Sequence, residues 1–126
     1  MGRPGTGTLG ARAEQAAFSY LIDRGLRPVA RNFGSRGGEI DLIMLDADCL
    51  VFIEVRCRRS TAFTEPANTV DRHKQRRIIR TAALFNTRNR RYAAHTMRFD
   101  VVAVEATRPP VVHWIRDAFR PDDSTF

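Results

Sequence analysis

Apolar residues recur along this chain with two different periods, and the change of period marks its elements. From Leu9 to Arg24 the spacing is helical, with Ala17, Phe18 and Leu21 on one stripe and Gly25 placed to end the helix. Glu14 falls on that stripe, four residues before Phe18. Arg27–Phe33 reads as a short strand, followed by a loop at Gly34–Gly38. Two strong strand patterns come next, Glu39–Leu45 and Cys49–Cys57, joined by Asp46-Ala47-Asp48. Residues 58–66 are a polar, basic connection. A second helix is predicted from about Ala67 to Thr87, with Val70, Ile78, Ala82 and Phe85 on one face and Lys74 between Val70 and Ile78 on that same face. Met97–Glu105 is a further strand, and Val111–Arg116, after the Pro109-Pro110 break, is the last. The order α-β-β-β-α-β-β predicts an α/β fold, a single sheet flanked by helices. Residues 9–116 would form one domain, with 1–8 and 117–126 as flexible termini.

The central hairpin can be registered from its apolar pattern. With Asp46 facing Cys49, Leu45 opposes Leu50, Ile43 opposes Phe52, Asp41 opposes Glu54 and Glu39 opposes Arg56. The other face pairs Ile40 with Val55, Leu42 with Ile53 and Met44 with Val51, all apolar. A one-residue slip would set Asp41 against Ile53 and destroy that separation, which selects the first register. It makes Asp41 and Glu54 opposed carboxylates about 5 Å apart at Cβ. Like charges so placed need a positive partner. Two readings stand: a divalent cation such as Mg²⁺, held by one or two carboxylates, or Arg56, cross-strand to Glu39 and diagonal to Asp41, neutralising the pair. Glu14 and Lys74, both on apolar stripes, are charges that need partners of their own; a lysine near a helix start can instead snorkel to water.

Composition adds a partner. The chain has 126 residues and a net charge of +7, with 43% hydrophobic and 28% charged residues, the make-up of one globular domain. A pI near 10.9 favours an acidic partner, nucleic acid or an anionic surface. The basic residues are twenty arginines and one lysine, Lys74. No apolar run reaches the roughly 20 residues of a membrane span, and the first eight residues hold no apolar core of a secretory signal. We therefore expect a soluble, cytoplasmic protein that does not enter membranes. Cys49 and Cys57 lie on one extended run, about 26 Å apart at 3.3 Å per residue, too far for a disulfide. The three histidines lack ligand spacing, and there is no P-loop, dinucleotide fingerprint or Ser/Cys nucleophile motif. Asp100, beside Arg98, reads as a capping or ion-pair residue, and His113, next to Trp114, as structural.

The segments Arg36-Gly37-Gly38-Glu39-Ile40-Asp41-Leu42-Ile43 and Leu50-Val51-Phe52-Ile53-Glu54-Val55-Arg56 closely resemble the YraN family of small bacterial proteins. Ala30-Arg31-Asn32-Phe33, Lys74-Gln75-Arg76-Arg77 and Arg98-Phe99-Asp100-Val101-Val102-Ala103-Val104 fit the same pattern, so the resemblance spans about residues 9 to 116. That family looks like a branch of the restriction-endonuclease-like superfamily with its PD-(D/E)xK motif, similar to archaeal-type Holliday-junction resolvases. The resemblance implies a restriction-endonuclease-like central mixed sheet between helices, and metal-dependent phosphodiester hydrolysis. Asp41 corresponds to the motif aspartate, Glu54 to the second acidic ligand and Glu14 to the helical glutamate of some resolvases. The motif lysine falls on Arg56, a departure: arginine supplies charge but accepts a proton poorly. Lys74 is the candidate to provide an ammonium instead. Resolvases act as dimers, so a homodimer is implied, although no residue in the sequence marks its interface.

The expected activity is that of a nuclease on DNA, including branched or structured DNA, with Mg²⁺ or Mn²⁺ on Asp41, Glu54 and Glu14, and Arg56 or Lys74 stabilising charge on the phosphate. Arg36, Arg58 and Arg59 flank the acidic strands, and Arg72, Arg76 and Arg80 recur every fourth residue on the second helix; these are the candidate phosphate contacts. The alternatives are a nucleic-acid-binding module whose turnover is impaired by Arg56, and a scaffold in a larger assembly.

Overall fold

The computed structural model describes residues 9–35, 38–58 and 70–122. Helix α1 (Leu9–Asp23) buries Ala13, Ala17 and Leu21. Gly25 ends it at φ +94°, a left-handed conformation that glycine adopts without a Cβ clash, and the Leu26 amide turns back to the Leu21 carbonyl at 3.1 Å. Five strands follow: β1 (Arg27–Ser35), β2 (Gly38–Asp46), β3 (Cys49–Arg58), β4 (Thr96–Glu105) and β5 (Val111–Phe119). They lie side by side in chain order. Every neighbouring pair is antiparallel except β3 and β4, which are parallel and joined by the crossover that contains α2 (Arg72–Arg88). The predicted mixed sheet flanked by helices is the observed architecture.

The helices cover opposite faces. Ala13, Ala17 and Leu21 of α1 pack on Leu42, Met44, Val51, Ile53, Val102 and Val104. On the other face Ile78, Ile79, Ala82 and Phe85 of α2 pack on Ile43, Leu50, Phe52, Phe99 and Val101. Phe85 meets Phe33 edge-on at 5.1 Å, and Phe52, Phe99 and Phe119 form a stacked row with centroids 5.5 and 5.3 Å apart. Strand β3, in the centre, is buried from both sides, which is why its residues 50–54 are all inaccessible to solvent. Among the described residues, no helix is long and apolar enough to cross a membrane.

Most boundaries shift by a residue at most, and three differ from the sequence expectation by more. Helix α2 starts at Arg72, not near Ala67, because Asp71 is extended (φ −64°, ψ 157°) and its carboxylate accepts the Lys74 amide at 2.9 Å as an N-cap; residues 67–69 lie outside the described residues. Strand β1 continues through Gly34 to Ser35, where the sequence predicts a loop. Strand β5 runs past Arg116 to Phe119: Asp117, at φ +53°, breaks the alternation, but pairing resumes and Phe119 is buried opposite Phe99. The ordered domain thus extends to Phe119 at least, and residues 1–8 and 123–126 lie outside the described residues. Cys49 and Cys57, at the two ends of β3, are free thiols.

Candidate active site

The site forms where β2 and β3 part. The hairpin has the predicted register, from Asp46 opposite Cys49 to Leu42 opposite Ile53, and there the ladder stops. The expected pairs Glu39–Arg56, Ile40–Val55 and Asp41–Glu54 are not part of it. The cause is Asp41, whose Oδ2 accepts the Val55 amide hydrogen at 2.8 Å and so fills a ladder position with a side chain. Across β1, Asn32 sits at φ +52°, and the pairs Arg31–Leu42 and Phe33–Ile40 leave out Asn32 and Asp41. Alternation fails accordingly. Ile40 packs in the α2-side core with Ile43, whereas Leu42 and Met44 pack on the α1 side, so the expected grouping of Ile40 with Leu42 and Met44 does not hold.

This break brings together the two carboxylates singled out from the sequence, although not as a ladder pair. Asp41 is hydrogen-bonded to Glu54, and burial, then the Glu54 charge, push its pKa up to about 7; the Val55 amide pulls the other way, and the Glu14 charge adds to the rise. Glu54 is buried in β3 and its Oε2 lies 2.5 Å from Nζ of Lys74. Lys74, reaching in from the first turn of α2, thus puts a positive group on the pair. Arg56 lies two residues beyond Glu54 on β3, half-buried.

Glu14 is turned toward β1. Its Oε1 accepts from Asn32 Nδ2 at 3.1 Å and lies 3.5 Å from the Arg31 guanidinium. Glu14 and Asp41 line one cleft of about 1360 Å³ beside α1, with Arg12, Arg31, Cys57 and Arg108 also in its walls. Among the described residues, no group of three His, Cys, Asp or Glu side chains is gathered to hold a metal ion. The donor set that fits a hard divalent cation is the Asp41–Glu54 pair, two oxygen ligands crowded enough that one of them retains a proton near neutrality.

The arginines divide into groups. Arg58 ends β3, half-buried, opposite Glu105 of β4. On α2, Arg72 pairs with Asp122 at 2.9 Å, Arg76 is half-buried and Arg80 is exposed. Arg36 and Arg59 lie outside the described residues. Arg31, Asn32 and the Val55 amide, which hold Glu14 and Asp41, escape the sequence reading. Of these only Asn32 carries a signal, as one of the few residue types that tolerate positive φ. At the far end of the sheet, Asp100 is the ion-pair residue expected: it accepts from Arg98 Nε, Trp114 Nε1 and the Asp117 amide, each at 2.9 Å. His113 pairs with Glu105 at 2.7 Å.

The profile of the uncharacterised protein family UPF0102 matches residues 13–104. The chain is 49% identical over 114 residues to a UPF0102 protein of Xanthomonas campestris pv. campestris (strain B100), covering 90% of this chain and 93% of that one. It is 47% identical over 111 residues to a UPF0102 protein of Stutzerimonas stutzeri (strain A1501), covering 87% and 92%. A UPF0102 protein of Ectopseudomonas mendocina (strain ymp) is 42% identical over 111 residues, covering 88% and 93%.

Proposed function

The chain belongs to the uncharacterised protein family UPF0102, and from that premise and its paired carboxylates we propose a metal-dependent nuclease that hydrolyses phosphodiester bonds in DNA. The reading places the chain with the restriction-endonuclease-like, PD-(D/E)xK superfamily, near archaeal-type Holliday-junction resolvases, with branched or structured DNA as substrate and a homodimer as the working assembly. One observation carries it: two contacting carboxylates, Asp41 and Glu54, stand at the parting of two core strands with an ammonium on one of them.

Asp41 and Glu54 would hold one Mg²⁺ or Mn²⁺. When bound, such an ion supplies Lewis-acid polarisation of the phosphate and an acidic bound water. The protein's own residues do the rest. Asp41 is fixed by the Val55 amide, so its second oxygen is aimed rather than free to rotate. Lys74 and Arg56 bring positive charge to the phosphate oxygens, where negative charge grows during hydrolysis. Lys74 thereby supplies the ammonium that Arg56 does not. Glu14, across the cleft from Asp41, adds negative charge that favours cation binding. Helix α2 has no acidic residue, and Arg76 and Arg80 present it to the DNA backbone.

The test is cleavage of labelled linear, single-stranded and four-way-junction DNA in Mg²⁺, Mn²⁺ or EDTA, beside Asp41→Asn. Metal-dependent cleavage by the wild type, lost in the variant, is the expected result. Salt-sensitive binding without cleavage in either metal would overturn the nuclease and leave the second reading, a nucleic-acid-binding module. That reading is favoured by Arg56 standing where the motif has lysine.

A further inference from the structure

Lys74 is the only lysine beside twenty arginines, and its ammonium lies 2.5 Å from Oε2 of Glu54. The two ends of this ion pair are unlike. The Glu54 side chain is 6% exposed, on a strand enclosed by β2 and β4, whereas that of Lys74 is 43% exposed on a flexible four-carbon stem. Contacts on the carboxylate oxygens include the Val55 amide on Asp41, the Asp41–Glu54 hydrogen bond, and Lys74 on Glu54. The first belongs to the backbone of a central strand and the second joins the buried Glu54 to Asp41, which that backbone holds in place. Of these three, the third alone can swing away without moving the sheet. A cation on Oε2 at the usual Mg–O distance of about 2.1 Å would stand within about 5 Å of that ammonium, two like charges on one oxygen with little water between them.

We infer that Lys74 is a displaceable plug on Glu54: it balances the carboxylate in the metal-free protein and leaves it when a divalent cation binds, which frees the ammonium to meet a phosphate beside the same pair. The inference rests on the metal-binding part of the proposed function. Lysine suits the task better than arginine, whose planar fork grips a carboxylate through two parallel hydrogen bonds and releases it reluctantly.

Because Lys74 is the only lysine, protein labelled with ¹⁵N-lysine has a single side-chain Nζ resonance, which can be followed while Mg²⁺ is added and binding is measured by calorimetry. The Nζ signal should lose its hydrogen-bonded signature in step with Mg²⁺ occupancy. Lys74→Gln should bind Mg²⁺ roughly tenfold more tightly than the wild type, and Lys74→Arg more weakly. The Lys74→Arg variant separates a plug from simple repulsion, since it keeps the charge and changes only the grip. Mg²⁺ binding with an unchanged Nζ signal, or equal affinity in the wild type and Lys74→Arg, overturns the plug while leaving the metal site intact. Failure of both wild type and Lys74→Gln to bind Mg²⁺ or Mn²⁺ overturns the plug and the metal site together. Binding by Lys74→Gln alone is the strongest support.

Discussion

Oδ2 of Asp41 accepts the Val55 amide at 2.8 Å, completing with a side chain a ladder that backbone atoms carry only to Leu42 and Ile53. The carboxylate is thereby held against Glu54 in the cleft wall, at a place where partial burial leaves two negative charges poorly hydrated. A proton or a cation has to be shared there, and the rise of the Asp41 pKa to about 7 expresses that need.

The same rise makes stability depend on pH. The Asp41 pKa moves from 3.8 to about 7 on folding, so between those values the folded state binds more protons than the unfolded one. Its stabilising effect is complete below about pH 4 and is lost as the pH rises through 7. In EDTA, wild-type stability to urea should fall between pH 5 and 8 relative to Asp41→Asn, which keeps an acceptor for Val55 and does not titrate. Over that pH range the expected difference is on the order of 3 kcal/mol. Parallel pH curves for the two proteins would show that Asp41 ionises normally.

The neighbours should act in a fixed order. Glu54 contributes more than Glu14 to the upward shift, so Glu54→Gln should lower the Asp41 pKa further than Glu14→Gln does. Carboxyl ¹³C titration of Asp41 in the two variants reads this directly. A larger effect from Glu14→Gln would mean that the cleft, rather than the sheet, sets the charge of Asp41.

How much of this is legible in the sequence follows from what periodicity can and cannot encode. The register from Leu42 to Asp46 is written in two apolar faces, so a slip of one residue is visible in the letters alone. The end of that ladder is not: it depends on one hydrogen bond from Val55 and a left-handed Asn32, and neither changes the hydrophobic pattern locally. Lys74 is readable as facing inward because it interrupts the stripe of Val70 and Ile78, but its partner lies 20 residues away on another element. Likewise Asp117 reads as lying beyond the end of β5 because a charged residue at positive φ breaks the alternation, while the buried Phe119 after it can be placed only by the sheet.

Asp100 should matter for folding and not for metal binding. It is fully buried and accepts from Arg98, Trp114 and the Asp117 amide, tying β4 to the irregular half of β5. Asp100→Ala leaves the Trp114 and Asp117 donors unmatched and Arg98 with Asp46 as its remaining carboxylate, at a cost of about 3–5 kcal/mol. Urea unfolding checks this, and Mg²⁺ affinity of the folded fraction should stay at the wild-type value.

On the surface of α2, phosphate contacts should not be equivalent. Arg72 is paired with Asp122 at 2.9 Å, and DNA must compete with that carboxylate. Arg80→Ala and Arg76→Ala should each reduce the slope of log affinity against log salt by about 1, and Arg72→Ala by less. Fluorescence anisotropy in EDTA over a salt series measures the slopes without interference from cleavage. Identical slopes for all three variants and the wild type would move the DNA off this helix.

Magnesium should stabilise the fold, and more so at alkaline pH. A cation that binds only the folded state adds RT ln(1 + [L]/Kd), about 3 kcal/mol at a hundredfold excess over Kd, which for a domain of this size is a rise in Tm on the order of 10 °C. Near pH 6 the cation must first expel the Asp41 proton, whereas at pH 8 Asp41 is already ionised and its repulsion with Glu54 is relieved outright. The rise in Tm should therefore grow from pH 6 to pH 8 and vanish in Asp41→Asn. Melting curves in Mg²⁺ and in EDTA at the two pH values decide it. A rise that is equal at both, or that survives Asp41→Asn, would place the bound cation away from the carboxylate pair.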